Sequence, residues 1–246
     1  NISFTDTGGL ANNDGIICSA AAVTLTGSAG FTNYAWNNAL GSGQVKNVAP
    51  TATTTYTVTV TNANNCSAAA STTITVNQFP IFSAQPVVTA VLCNGGNTGT
   101  ITVSASTANN PLTYSNDNGG SFQGSNVFTG LTAGSYNLVI TDAAACSTTY
   151  PSNPVVVTEP PVLTHTTAVV DASCSNVFDG KITVTATGGF GAYAYSLNGG
   201  PSQIGNVFAG LSSGVYTVLT TDANGCGFST SDTIDNSYGI TGSIQS

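Results

Sequence analysis

Few side chains in this chain of 246 residues have reactive chemistry: six cysteines (Cys18, Cys66, Cys93, Cys146, Cys174 and Cys226), one histidine (His165), two lysines (Lys46 and Lys181) and ten scattered aspartates or glutamates. Only the cysteines form a pattern. A lone histidine has no partner for a catalytic dyad or a metal centre, and dispersed carboxylates make a poor acid–base set. The expectation is a protein that is not an enzyme and takes no cofactor. Nucleic acid is excluded as a partner by charge. Neutralising phosphates rests on Lys and Arg, and a chain of formal net charge -8 and pI near 4.1 has no basic face.

The cysteines are even in number and fall into three pairs with similar spacing, Cys18 with Cys66, Cys93 with Cys146 and Cys174 with Cys226, which suggests one bridge per repeat. Internal similarity supports the repeats. The run NVFTGLTAGSYNLVITDAAAC ending at Cys146 returns as NVFAGLSSGVYTVLTTDANGC ending at Cys226, and GTITV at 99–103 returns as GKITV at 180–184. The first segment carries the same features in the same order, VTLTGSAGFTNYAW and then TTTYTVTVTNANNC. Prolines at 77–86 and at Glu159-Pro160-Pro161 remove ladder donors and end strands. Domains are therefore expected at residues 1–77, 78–159 and 160–246.

The elements that must position these cysteines are strands. At 41% hydrophobic and a mean hydropathy of +0.18 the chain can bury a core. Its Thr and Val content favours pleated surfaces, helical periodicity is absent, and short alternating runs are separated by turn residues. The fold class read from this is all-β: three tandem Ig-like, Greek-key β-sandwich domains, each with one disulfide. In the second repeat strands are expected near 87–91, 99–104, 112–115, 121–128, 135–141 and 155–158. Asn118-Gly119 and Asn198-Gly199 have the residue types of a two-residue hairpin with positive φ. Leu131 to Tyr136 and Leu211 to Tyr216 have the form of a tyrosine corner, with Tyr56 the first-segment candidate. Tyr34, Trp36, Tyr114 and Tyr195 read as core. If strands two to five run up, down, up and down, the two cysteines of each repeat return to one level and can bond. A loop of about 50 residues closed in this way contributes roughly 4 kcal/mol and implies an oxidising compartment. No apolar stretch is long enough to span a membrane as a helix. The start of the chain, with neither Met nor a leader, suggests an exported, mature, extracellular segment from which a signal peptide has been removed.

From Cys93 through GTITV, Tyr114-Ser115, Gly130-Leu131, Gly134, Tyr136 and Thr141-Asp142, the chain resembles the SprB-type repeats of gliding and surface adhesins in Bacteroidota. The third segment resembles them through Cys174, Gly180 to Val184, Gly188-Gly189, Tyr193 to Ser196 and Thr221 to Cys226. The first is similar to the Ig-like or PKD-like modules that accompany such repeats, through VTLT at 23–26, Tyr34-Ala35-Trp36 and PTATTTYTV at 50–58. Asn116 and Leu197 stand where the repeat often has Trp, and TDANGC becomes TDAAAC and TNANNC in the other two segments. The resemblance implies a protein displayed at the cell surface.

Other candidates have plainer readings. His165 is expected to face solvent from a strand. Asp6 and Asp14 with Asn12 and Asn13, and Asn116-Asp117-Asn118, offer oxygens to calcium but read as turn supports. Asp142 and Asp222 are expected to accept backbone N–H bonds in the turn before the second cysteine. Thr233, in Asp232-Thr233-Ile234, resembles an O-glycosylation signal of that phylum. Tyr150, Tyr193, Phe190 and Trp36 are the aromatic residues available for stacking on sugar rings. The uncharged runs at 53–61 and 71–76 are expected to be unguarded sheet edges, covered by another copy of the protein. Two terminal segments, Asn1, Ile2, Ser3, Phe4 and Thr5, and Tyr238, Gly239, Ile240, Thr241, Gly242, Ser243 and Ile244, are candidate strands for a neighbour's sheet; the alternative is pairing within their own domains. The preferred function is an extracellular structural segment or filament subunit that associates with itself. A module binding surface glycans, or an accessory set from a larger secreted enzyme, is the alternative.

Overall fold

The computed structural model describes residues 1–174 and 177–236, and every regular element among them is a β-strand. The period-two pattern accounts for this: in Val23–Gly27 (VTLTG) and Thr54–Thr61 (TTYTVTVT) apolar side chains alternate with hydroxyls, so one face is buried and the other wetted. The chain divides into two compact units. One contains residues 1–87, 101–128 and 135–156; the other contains residues 88–100, 129–134 and the chain from Val157 on.

In the first unit, one sheet has the order Ile2–Asp6, Val23–Gly27, Val45–Val48. A second runs Ile16–Cys18, Ser67–Asn77, Thr54–Thr61, Asn33–Trp36, Gly41–Ser42. Their inward residues make one core of Ile17, Val23, Leu25, Tyr34, Trp36, Tyr56, Val58, Val60 and Ile74. Burying each fully enclosed Ile, Leu or Val side chain contributes roughly 1.5–3 kcal/mol. Tyr34 and Trp36 keep their polar ends bonded, Tyr34 Oη donating to the Ser28 carbonyl at 2.9 Å and Trp36 Nε1 to the Gly43 carbonyl at 2.8 Å. The same unit holds a sheet of Thr113–Ser115, Val139–Thr141 and Ser147–Thr149, and the pair Ile81–Phe82 with Ala105–Ser106.

In the second unit Thr164–Val170, Gly180–Thr187 and Val207–Leu211 form one sheet, and Ala194–Leu197, Gly214–Thr221 and Gly227–Ile234 another. Ala172, Ile182, Val184, Tyr195, Val218 and Ile234 are the buried residues of its core.

The expected hairpins are present: φ is 62° and 87° at Asn118-Gly119 and 50° and 71° at Asn198-Gly199. The tyrosine corner forms at Tyr216, whose hydroxyl donates to the Ser212 carbonyl at 3.0 Å. Three expectations change. The run 121–128 is two pieces. Gln123 bridges back to Tyr114, the chain turns, and a separate strand Val127–Leu131 follows; Gln203, Tyr195 and Val207–Leu211 repeat this arrangement. The run 53–61 is interior, because Thr54–Thr61 is paired on both sides. Of the candidate donor strands, Ile2–Asp6 is taken up in its own sheet, with Phe4 opposite Leu25, so Asn1 to Thr5 is not a spare strand. Tyr238 to Ile244 lies outside the described residues.

Candidate functional site

The cysteines fall into two structural classes. Cys66, Cys146 and Cys226 close the same turn, in which a polar residue four positions earlier holds the backbone: the Oδ1 of Asn62, Asp142 and Asp222 accepts from the N–H of Cys66, Cys146 and Cys226 at 3.0, 3.0 and 2.9 Å. In each, the residue before the cysteine has positive φ, 62° at Asn65, 59° at Ala145 and 83° at Gly225. In the second class, the carbonyls of Cys18, Cys93 and Cys174 each accept from the N–H three residues on, Ala21, Gly96 and Val177, at 3.0, 3.0 and 3.2 Å. We call the first class end cysteines and the second start cysteines, from their places in the repeat.

The structure bonds start to end across successive repeats: Cys18 to Cys146 with Cα atoms 5.6 Å apart, and Cys93 to Cys226 at 5.7 Å. Cys66 and Cys174 are free and exposed. This corrects the expectation of one bridge within each repeat, and geometry gives the reason. Cys18 lies opposite Asn77, whereas Cys66 immediately precedes Ser67 at the other end of the strand Ser67–Asn77. That strand has 11 residues. At about 3.3 Å per residue the two cysteines are some 30 Å apart, far beyond disulfide reach. In the third repeat Ala172 pairs with Asn236, beyond one end of Gly227–Ile234, while Cys226 precedes the other. The parity expectation failed because the split of the fourth run adds one reversal of direction.

Each bridge lies within a set of polar contacts. In the second unit Asn224 Nδ2 donates to the Leu92 carbonyl at 2.9 Å, Asn94 Nδ2 to the Pro160 carbonyl at 3.0 Å, and the Gly95 N–H to Glu159 Oε2 at 2.6 Å. In the first, Thr148 Oγ1 donates to the Pro80 carbonyl at 2.6 Å and Tyr150 packs edge-on against Phe82 with centroids 5.0 Å apart.

The carboxylates are engaged in structure. Asp222 Oδ2 accepts from the Phe190 N–H at 2.9 Å, and Asp142 Oδ2 from Thr107 Oγ1 and Asn109 Nδ2 at 3.0 and 3.2 Å. Burial pushes the Asp222 carboxyl up, but backbone N–H groups of Phe190, Cys226, Asn224 and Gly225 together outweigh it and hold its pKa below the usual range. Asp117 is held low by hydrogen bonds from Ser115 and Ser121. Asp6 accepts from the N–H groups of Asn13 and Gly15 at 3.1 and 3.0 Å, and Asp14 from Ile16 at 2.9 Å. These are turn supports, and among the described residues no three His, Cys, Asp or Glu side chains gather as a metal site.

His165 departs from expectation: it is buried, with Nδ1 and Nε2 each 2.8 Å from a threonine hydroxyl, Thr220 and Thr230, and its ring edge-on to Phe228. Burial lowers its pKa, and the negative charge of Asp232 opposes this without reversing it. The aromatic candidates are dispersed: Trp36 is core, Tyr150 packs on Phe82, Tyr193 donates to the Gly188 carbonyl at 2.7 Å, and Phe190 is exposed. Thr233 is exposed on Gly227–Ile234, opposite Val215.

Residues 166–202 match the family model described as SprB repeat. No curated protein matches the chain. Among solved structures, the chain is similar to the N-terminal eight Ig domains of Down Syndrome Cell Adhesion Molecule, at 15% identity and a TM-score of 0.45, over 91% of this chain and 35% of that one. The chain thus spans about a third of that structure. It is also similar to the I-band fragment I67-I69 of titin, at 13% identity and a TM-score of 0.40, over 97% of this chain and 99% of that one.

Proposed function

We propose that this chain is an extracellular structural protein, a segment or subunit of a cell-surface adhesin or filament built from three sandwich repeats at residues 1–77, 78–159 and 160–246. The observation that carries this reading is the bonding of a start cysteine to the end cysteine of the following repeat, which turns a series of small domains into one covalently fastened series. The SprB repeat match within the third repeat supports display at a cell surface. Disulfides persist in oxidising compartments, which supports an exported protein. Structural use of the carboxylates and of His165 favours scaffolding over catalysis. The partner in this reading is the protein itself.

Electron microscopy of native material tests the proposal. Filaments or surface fibres containing this chain are expected, and isolated globular monomers at high concentration would overturn it.

A further inference from the structure

We propose that the Cys93–Cys226 bridge is an exchange site for a small aminothiol, which attaches to Cys93 as a mixed disulfide and releases Cys226 as a thiol, while Cys18–Cys146 stays closed. The two bridges differ in burial. Cys146 is fully enclosed and Cys18 is 8% exposed, whereas Cys93 and Cys226 are both half-buried. The more open bridge borders a cavity of about 300 Å³ in the second unit, lined also by Asn94, Leu163, Gly189 and Phe228. Its flanking residues are smaller as well. A Cβ at Gly95, two residues after Cys93, or at Gly225, one before Cys226, would meet nothing within 4 Å. The buried bridge has Ala20 and Ala145 at those two places, in the same left-handed backbone at φ of 63° and 59°.

Exchange needs a thiolate with access to one of the two sulfurs. Cys226 Sγ lies 3.4 Å from the Leu92 carbonyl oxygen, whose lone pairs repel an incoming thiolate and leave Cys93 as the sulfur attacked. Charge selects the thiol. Asp222 lines the cavity, and the Glu159 carboxylate accepts from the Gly95 N–H at 2.6 Å. An ammonium group on the thiol is attracted there and a carboxylate is repelled.

The thiolate forms a bond to Cys93 Sγ as the Cys93–Cys226 bond breaks, and the electron pair leaves on Cys226 Sγ. Cys226 takes up the proton that the incoming thiol lost, and its S–H donates to the Leu92 carbonyl. One disulfide is consumed and one is formed, so the step needs no oxidant or reductant. It is also reversible. Asp222 Oδ1 still accepts from the Cys226 N–H, and Asn224 Nδ2 still donates to the Leu92 carbonyl, so the two cysteines stay placed for Cys226 to expel the aminothiol again.

The test treats the native protein, its exposed free Cys66 and Cys174 first alkylated, with cysteamine in the absence of air. Acid quenching, labelling of new thiols and mass spectrometry then locate the products at early times. The expected result is a cysteamine adduct on Cys93 and a labelled Cys226, formed at a rate proportional to thiol concentration and at least about tenfold faster than Cys18–Cys146 opens. Diluting out the thiol should restore the bridge, and in denaturant the two bridges should open at similar rates. Mercaptopropionate should react several-fold more slowly than cysteamine, each rate being taken relative to the unfolded chain, and salt should close that gap. Bridges that open together in the native protein, an adduct on Cys226, a rate that stops rising with thiol because unfolding limits it, or mercaptopropionate as fast as cysteamine would each overturn the inference.

Discussion

Gly180 opens the GKITV run where the chain passes close to its neighbour: a Cβ there would lie 2.8 Å from the Leu211 carbonyl oxygen and 3.0 Å from Ile234 Cγ2. Gly99 in GTITV meets the Leu131 carbonyl oxygen at the same 2.8 Å, so the repeated glycine has a steric cause. Gly180→Ala should cost about 1–3 kcal/mol, read as a lower denaturant midpoint with an unchanged slope. His165 gives a second prediction. Its folded-state pKa lies below the ordinary value of about 6.5, so the unfolded chain takes up the proton first. The stability present above about pH 6.5 is lost as pH falls toward the lowered folded value. The melting temperature should drop between pH 7 and pH 5, and His165→Gln should flatten that drop. The turns that Asp142 and Asp222 hold before Cys146 and Cys226 were legible in the sequence, because the Oδ1 of each and the N–H groups it accepts from lie within four residues. His165 was not, because Thr220 and Thr230 are 55 and 65 residues away.

At the scale of elements, strand existence, hairpin positions and the tyrosine corner at Tyr216 follow from local residue types and were readable. Which strands neighbour one another was not. The run 121–128 looks continuous in sequence, yet Gln123 Nε2 caps the carbonyls of Ser125 and Val127 at 2.8 and 2.9 Å and turns the chain between two strands. That one hidden turn reversed the parity on which the cysteine pairing depended. The bridge between Cys18 and Cys146 spans 128 residues and that between Cys93 and Cys226 spans 133. On the chain-entropy model each contributes about 5 kcal/mol. Replacing Cys18 and Cys146 together by Ser should lower stability by up to that amount, measured by denaturant unfolding of the purified double variant. Lys46 lies inside Val45–Val48 and Lys181 inside Gly180–Thr187, each paired with a neighbouring strand. Native protein should therefore resist trypsin at both; rapid cleavage at either would show that its strand opens.

At the scale of the molecule, Trp36 lies in the core, Tyr150 packs on Phe82 and the Tyr193 hydroxyl is bonded to the Gly188 carbonyl, so the aromatic candidates form no shared sugar-stacking face and a glycan array is expected to return no saturable binding. The SprB repeat match was legible because the third segment retains the run from GKITV through Tyr195. The order of the covalent staples was not, because it depends on strand direction. The two bridged intervals, 18 to 146 and 93 to 226, overlap. Every peptide bond between residues 18 and 226 consequently lies inside at least one closed loop, and breaking any one of them leaves the pieces tied. Chymotryptic nicking at the exposed Phe122 or Phe190 should leave a full-length band without reductant and release fragments only with it. A chain so laced tolerates a cut backbone, because a single scission leaves no separate piece to lose.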